Sequence, residues 1–129
     1  MAITKEMLEK LRSVGWSFGE YEKTVGLGQV FHYQGVEHTI GGSWDASSLS
    51  EEDQTIIREG IWLPNTDDLM YWLWCEGVSV KISCTAGDGY FHSEGILSTG
   101  ECFTGGGPDL QMCLYKLVFK VARHHHQIK

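Results

Sequence analysis

Apolar positions recur along the chain with two different periods, and the periods divide it into helices and strands. The clearest run lies near the end. Leu110, Cys113, Leu114, Leu117, Val118 and Val121 fall at i, i+3, i+4, i+7, i+8 and i+11, one face of a helix. Pro108 or Asp109 starts this helix after three glycines. Lys116, Lys120 and Arg123 collect in its C-terminal half, where the helix dipole favours cations.

Three shorter helical stripes precede it. Met7, Leu8, Leu11 and Val14 lie within Lys5 to Val14, between Thr4 as N-cap and Gly15 as a left-handed stop. Ser50 caps a second helix with Asp53 in the capping-box position, Ile56 and Ile57 inward, and Gly60 at its end. A third follows Pro64. Thr66 is its expected cap, and Asp67 and Asp68 occupy its first turn. Leu69, Trp72 and Leu73 form its inner face, Met70, Tyr71 and Trp74 lie off that face, and Gly77 ends it.

Period two marks the strands. Gln29 to Ile40 predicts a hairpin turning at Gln34-Gly35, with Tyr33 opposite Val36, His32 opposite Glu37 and Phe31 opposite His38. Phe31, Tyr33, Val36, His38 and Ile40 then share the face expected to be buried. Val30, His32, Glu37 and Thr39 share the other. Val78, Val80, Ile82 and Cys84 alternate with Ser79, Lys81, Ser83 and Thr85, a strand with one buried side. Tyr90 to Leu97 and Glu101 to Thr104 predict further strands, and Trp16, Phe18 and Tyr21 lie in a segment that can begin a sheet. Together these elements predict an α+β chain, a three-layer α-β-α sandwich around an antiparallel sheet. It is expected to form one domain over residues 1–123, with 124–129 as a short C-terminal tail.

Composition narrows the classes. A chain of 129 residues supports one real core. Net charge is −7, which sets the chain against a phosphate backbone and argues against nucleic acid as a partner. No window holds the roughly 18 apolar residues a membrane helix needs. The opening Met-Ala-Ile-Thr-Lys-Glu lacks the pattern of a signal peptide, so the expected location is the cytoplasm. Cys75, Cys84, Cys102 and Cys113 contain no close-spaced pair, so neither a structural zinc site nor any cofactor is expected, and the thiols read as small buried apolar groups.

A family resemblance lies in the second half. The order Trp-Leu-Pro-x-Thr-Asp-Asp-Leu, amphipathic helix, Gly-Val-Ser-Val-Lys-Ile strand, hairpin, Phe-Thr-Gly, and Asp-Leu-Gln-Met-Cys-Leu-Tyr-Lys-Leu-Val resembles the phage ABA sandwich proteins over Trp62 to Val121. These are small proteins of phages and bacterial prophages. The resemblance implies two helices flanking an antiparallel sheet, and a bacterial host cell as the setting. The family has no agreed catalytic residues, so the resemblance carries none to this chain. Gly106-Gly107-Pro108 departs from the family's usual polar helix start.

Candidate chemistry is sparse. Gly26-x-Gly28, Gly41-Gly42 and Gly105-Gly106-Gly107 are glycine-rich. Only Gly105 to Gly107 directly precedes a helix N-terminus, where backbone amides can hold an anion. No phosphate-loop Lys-Ser/Thr pair follows. His32 and His38 fall on opposite hairpin faces, which disfavours a metal site with Glu37; His92 is isolated in a strand, and His124 to His126 fall in the expected tail. Trp16, Trp62 and Trp72 are expected to build core. Trp44, in a Gly-Ser-Asp loop, and Tyr71 and Trp74, off their helix's inner face, are the candidate recognition surface. No catalytic residue and no metal ligand is assigned. The expectation is a non-enzymatic phage-type protein that binds or inhibits a host or phage protein, or self-associates, through an acidic and aromatic surface. The alternative is a nucleotide or other anion held near the glycine-rich loops, by a binding protein or an enzyme. A pocket lined by glycines, His92 and a cation such as Lys81 would favour it.

Overall fold

A computed structural model describes residues 2–23, 28–41, 50–84, 87 and 89–127. Its helices are α1 (Lys5–Ser13), α2 (Glu51–Glu59), α3 (Thr66–Cys75) and α4 (Leu110–Gln127). Its strands are β1 (Val30–Tyr33), β2 (Val36–Thr39), β3 (Ile61–Leu63), β4 (Ser79–Cys84), β5 (Phe91–Ile96) and β6 (Cys102–Gly107). The chain is α+β with antiparallel strands, as the two periods predict. The six described strands divide between two three-stranded sheets, in the orders β2-β1-β3 and β4-β5-β6.

Local signals place the helices. The Thr4 hydroxyl accepts from the Met7 amide and the Ser50 hydroxyl from the Asp53 amide, as expected of N-caps. For α3 the cap is Asn65 rather than Thr66. The Asn65 side chain takes the Asp68 amide and the Asp68 carboxylate takes the Asn65 amide, each at 2.9 Å, a complete capping box. Asp109 caps α4 through its carboxylate, which accepts from the Met112 amide at 2.8 Å. The segment after α1 forms a 3₁₀ turn over Gly19–Lys23, not a strand.

The first sheet carries the predicted hairpin in the predicted register, with Tyr33 opposite Val36, His32 opposite Glu37 and Phe31 opposite His38. The turn uses φ 51° at Gln34 and φ 80° at Gly35, so both central residues are left-handed, as a tight two-residue hairpin requires. Phe31 and Ile40 are buried, but Val36 on the same face is 56% exposed. It sits where the hairpin tip has run past its cover. Strand β3 was not foreseen: three residues before a proline are too few to show alternation. It pairs with β1, and the Trp62 indole donates to Gln29 Oε1 at 3.0 Å.

The second sheet is covered on one side by α4, which packs on β5 and β6, while α3 packs on α4 and β4. Cross-strand partners align Val80 with Gly95 and Phe103, and Ile82 with Ser93 and Gly105, on the covered face. The opposite face carries Ser79, Lys81, Ser83, His92, Ile96, Cys102 and Thr104, all exposed. The expected stripe of α4 holds: Cys113, Leu114, Leu117, Val118 and Val121 are fully buried, and Leu110 is half-buried. The helix extends beyond Arg123 to Gln127, so the three histidines expected in a tail lie on α4. His124 Nε2 lies 2.7 Å from Glu101 Oε2, and His125 Nδ1 lies 3.4 Å from Glu76 Oε2. Among the described residues no helix is long and apolar enough to cross a membrane.

Candidate functional site

Helix α3 builds the first candidate. Its inner face, Leu69, Trp72 and Leu73, is buried as the wheel predicts. Asp67, Met70, Tyr71 and Trp74 fall at i, i+3, i+4 and i+7 on the other side. With Val78 and Val80 they line a groove of about 460 Å³ at the β4 edge. Trp74 is 70% exposed, the most exposed large apolar side chain among the described residues, and Tyr71 is 43% exposed. Their rings stack at 5.8 Å with planes 18° apart.

The pair is the outer end of a longer aromatic array. Tyr71 lies 5.4 Å from Tyr21 and 5.7 Å from Phe18, and Phe18 lies 6.3 Å from buried Trp16. Rings packed this way hold one another's orientation, so Trp74 stands on a rigid base. The Cys75 thiol one turn along, with some burial, raises the Tyr71 phenol above its usual range. Asp67 is the charged residue of the lining, and it is acidic. Trp44, the third member of the expected surface, lies outside the described residues.

The second candidate centres on Gly105 to Gly107, and the expectation of a loop there is corrected. All three are β6 residues paired with β5, and none has positive φ. They form no left-handed nest for an anion. The helix N-terminus beyond them already holds the Asp109 carboxylate, which would repel one. The glycines serve close packing. A Cβ at Gly105 would stand 2.6 Å from the Cys113 carbonyl oxygen, and one at Gly107 would stand 2.8 Å from Met112 Cβ. Helix α4 lies directly on the strand because side chains are missing.

A concavity of about 820 Å³ lies beside Gly105 and Gly106. Its wall includes Lys81, Tyr90, His92, Thr104, Gly106 and, from α4, Lys116 and Lys120. Gly105, Gly106, His92 and Lys81, of the groups named as favouring the alternative, thus line one pocket, and Gly107 does not. The sequence missed Lys116 and Lys120 as members, although their i, i+4 spacing on α4 was the available signal. Lys120 Nζ donates to the Thr104 carbonyl at the β6 edge.

The thiols do not gather. Cys113 is buried as expected, but Cys75, Cys84 and Cys102 are exposed, and all four are free. The ends of α3 and β4 place the first two in solvent, which a helix or strand pattern alone does not reveal. Partial burial, then the Glu94 carboxylate accepting its S–H at 3.4 Å, raises the Cys102 thiol and keeps it a poor nucleophile. No group of three or more His, Cys, Asp or Glu suited to a metal ion occurs among the described residues. The chain matches no protein-family model, no curated protein and no solved structure.

Proposed function

We propose that this is a non-enzymatic binding protein of phage or prophage type that works in a bacterial host by occluding a host component. The observation that carries the reading is the stacked Tyr71–Trp74 pair, exposed at the outer end of an aromatic array that runs in to buried Trp16. Leaving a tryptophan 70% in water forgoes a large gain from burial, whereas covering it on binding recovers that gain. Tryptophan and tyrosine also dominate the energetic centres of interfaces. The groove wall contributes Asp67, and the chain as a whole carries −7. The complementary partner is a protein presenting an apolar side chain beside a basic residue.

The test compares wild-type protein with Trp74→Ala and Tyr71→Ala in capture from bacterial lysate, followed by direct binding to the purified captured protein. Trp74→Ala should keep its melting temperature within about 2 °C, because an exposed ring contributes little to folding. Tyr71→Ala should lose a few degrees with its contacts to Phe18 and Tyr21. Both should lose capture. Capture that survives both substitutions would overturn the assignment. Sedimentation of the wild type and Trp74→Ala separates a foreign partner from a second copy. A dimer that becomes monomeric in the variant would make the surface a self-association face instead.

A further inference from the structure

We propose that the concavity over the Gly105–Gly106 end of β6 binds a phosphorylated small molecule of the nucleotide class, with its phosphates on Lys81, Lys116 and Lys120 and its ring against Tyr90. The chain has only ten Lys and Arg in a total of −7, yet three of the ten line this one concavity. They arrive from two elements: Lys81 from the exposed face of β4, and Lys116 and Lys120 from one face of α4. Like charges brought together repel unless an anion sits among them. Glu94 is the only carboxylate among the described residues of the lining. It is the cross-strand partner of Lys81, and it also accepts the Cys102 thiol. Among the described residues, one carboxylate against three ammonium groups leaves the lining net positive within an acidic molecule.

The other lining groups suit the same ligand. Ser83 and Thr104 bring hydroxyls and His92 an imidazole, each a further donor to phosphate oxygen. The Tyr90 ring lies 5.2 Å from the His92 ring. The two planes are 53° apart, so the exposed Tyr90 ring alone offers a flat apolar face beside the cations, on which a base can stack. Lys120 is held by the Thr104 carbonyl and keeps further N–H donors on its ammonium group. The volume, about 820 Å³, lies within the roughly 300–1,000 Å³ usual for small-ligand sites. A lining rich in lysine rather than apolar groups selects charge in the ligand. Lys10 adjoins Lys116 and Lys120 in the neighbouring hollow and extends the positive field.

The experiment is titration of the whole isotope-labelled chain with ATP, ADP, pyrophosphate and inorganic phosphate at low ionic strength, read by amide NMR shifts. Saturable shifts at Thr104, Gly105 and Gly106 are expected, with a nucleotide bound more tightly than pyrophosphate or phosphate. Lys81→Gln with Lys116→Gln should weaken nucleotide binding by about a hundredfold or more, since two charge-assisted hydrogen bonds to phosphate are lost. Lys120 is left in place because it also ties down the β6 edge. Tyr90→Ala should lower nucleotide affinity toward that of pyrophosphate and leave pyrophosphate binding unchanged. Trp74→Ala should bind nucleotide like wild type, which keeps this site distinct from the protein-binding groove. The proposal is overturned by shifts that do not saturate, by equal binding in the double lysine variant, or by a single-stranded oligonucleotide that binds far more tightly than any mononucleotide.

Discussion

The Tyr21 hydroxyl donates to Asp68 Oδ1 at 3.0 Å across 47 positions of sequence. The other oxygen of the same carboxylate accepts the Asn65 amide at 2.9 Å. One nearly buried carboxylate, 3% exposed, therefore caps α3 and ties the N-terminal segment to it. Asp68→Ala should cost about 2 kcal/mol or more, because it removes a capping box and the hydrogen bond from Tyr21 together. Tyr21→Phe should cost only about 1 kcal/mol, since the cap survives. Urea unfolding of both variants measures the difference, and equal losses would contradict the double role of Asp68.

The same contact makes stability fall in alkali. Burial, and next the Asp68 carboxylate, raise the Tyr21 phenol above its ordinary value; burial raises Tyr115 likewise. A proton held more tightly in the folded chain stabilises it fully below the unfolded tyrosine value of about 10. That contribution is lost as pH climbs above 10 toward the folded values. Denaturation midpoints followed from pH 8 to 11 should decline at the alkaline end, and Tyr21→Phe should decline less. An identical decline in that variant would remove Tyr21 from the explanation.

Gly105 and Gly106 should answer differently to the same methyl group. Alanine at 105 meets backbone, the Cys113 carbonyl at 2.6 Å and the Leu117 amide at 3.0 Å. The helix must move, at a cost of about 1–3 kcal/mol. Alanine at 106 meets chiefly the Tyr90 ring at 2.8 Å, and that exposed ring can swing aside. Thermal melting of Gly105→Ala should show a clear drop and Gly106→Ala a small one; the reverse order would mean α4 does not rest on β6 at Gly105.

Leu117 is fully buried at the centre of the α4 stripe, with its side chain against Gly95 and its backbone amide against Gly105. Leu117→Ala should cost about 2–5 kcal/mol, a large share of the roughly 5–15 kcal/mol available to a domain. A chemical-denaturation loss below about 1 kcal/mol would place that face of α4 outside the core.

Much of this arrangement could be read from residue order alone. Leu69, Trp72 and Leu73 against Tyr71 and Trp74 sorted correctly because a helical wheel fixes direction once the period is known. The hairpin register followed from Gln34-Gly35, since two left-handed residues leave little choice of partner. Burial at its tip did not follow, because alternation shows which face Val36 shares but not where the cover ends. Gly105 to Gly107 resembled a loop because glycine has low strand propensity. They form a strand because α4 needs the space, a tertiary demand with no local signature. The convergence of Lys81 with Lys116 and Lys120 was hidden for the same reason: it depends on how β4, β6 and α4 are stacked. Trp44 lies outside the described residues.

The attachments of α1 reach far down the chain, and this bears on how the protein is made. Ile3 takes its backbone partner from Pro64, and Tyr115 donates to the Met7 carbonyl across 108 positions. During synthesis α1 emerges long before either partner exists. A helix of nine residues is marginal alone in water, so its apolar stripe waits uncovered while the ribosome finishes the rest. Closing contacts over such separations is slow, and uncovered apolar surface invites aggregation meanwhile. Slower translation would prolong that exposed interval without altering any native contact, so soluble yield should depend on elongation rate and chaperone supply more than on final stability.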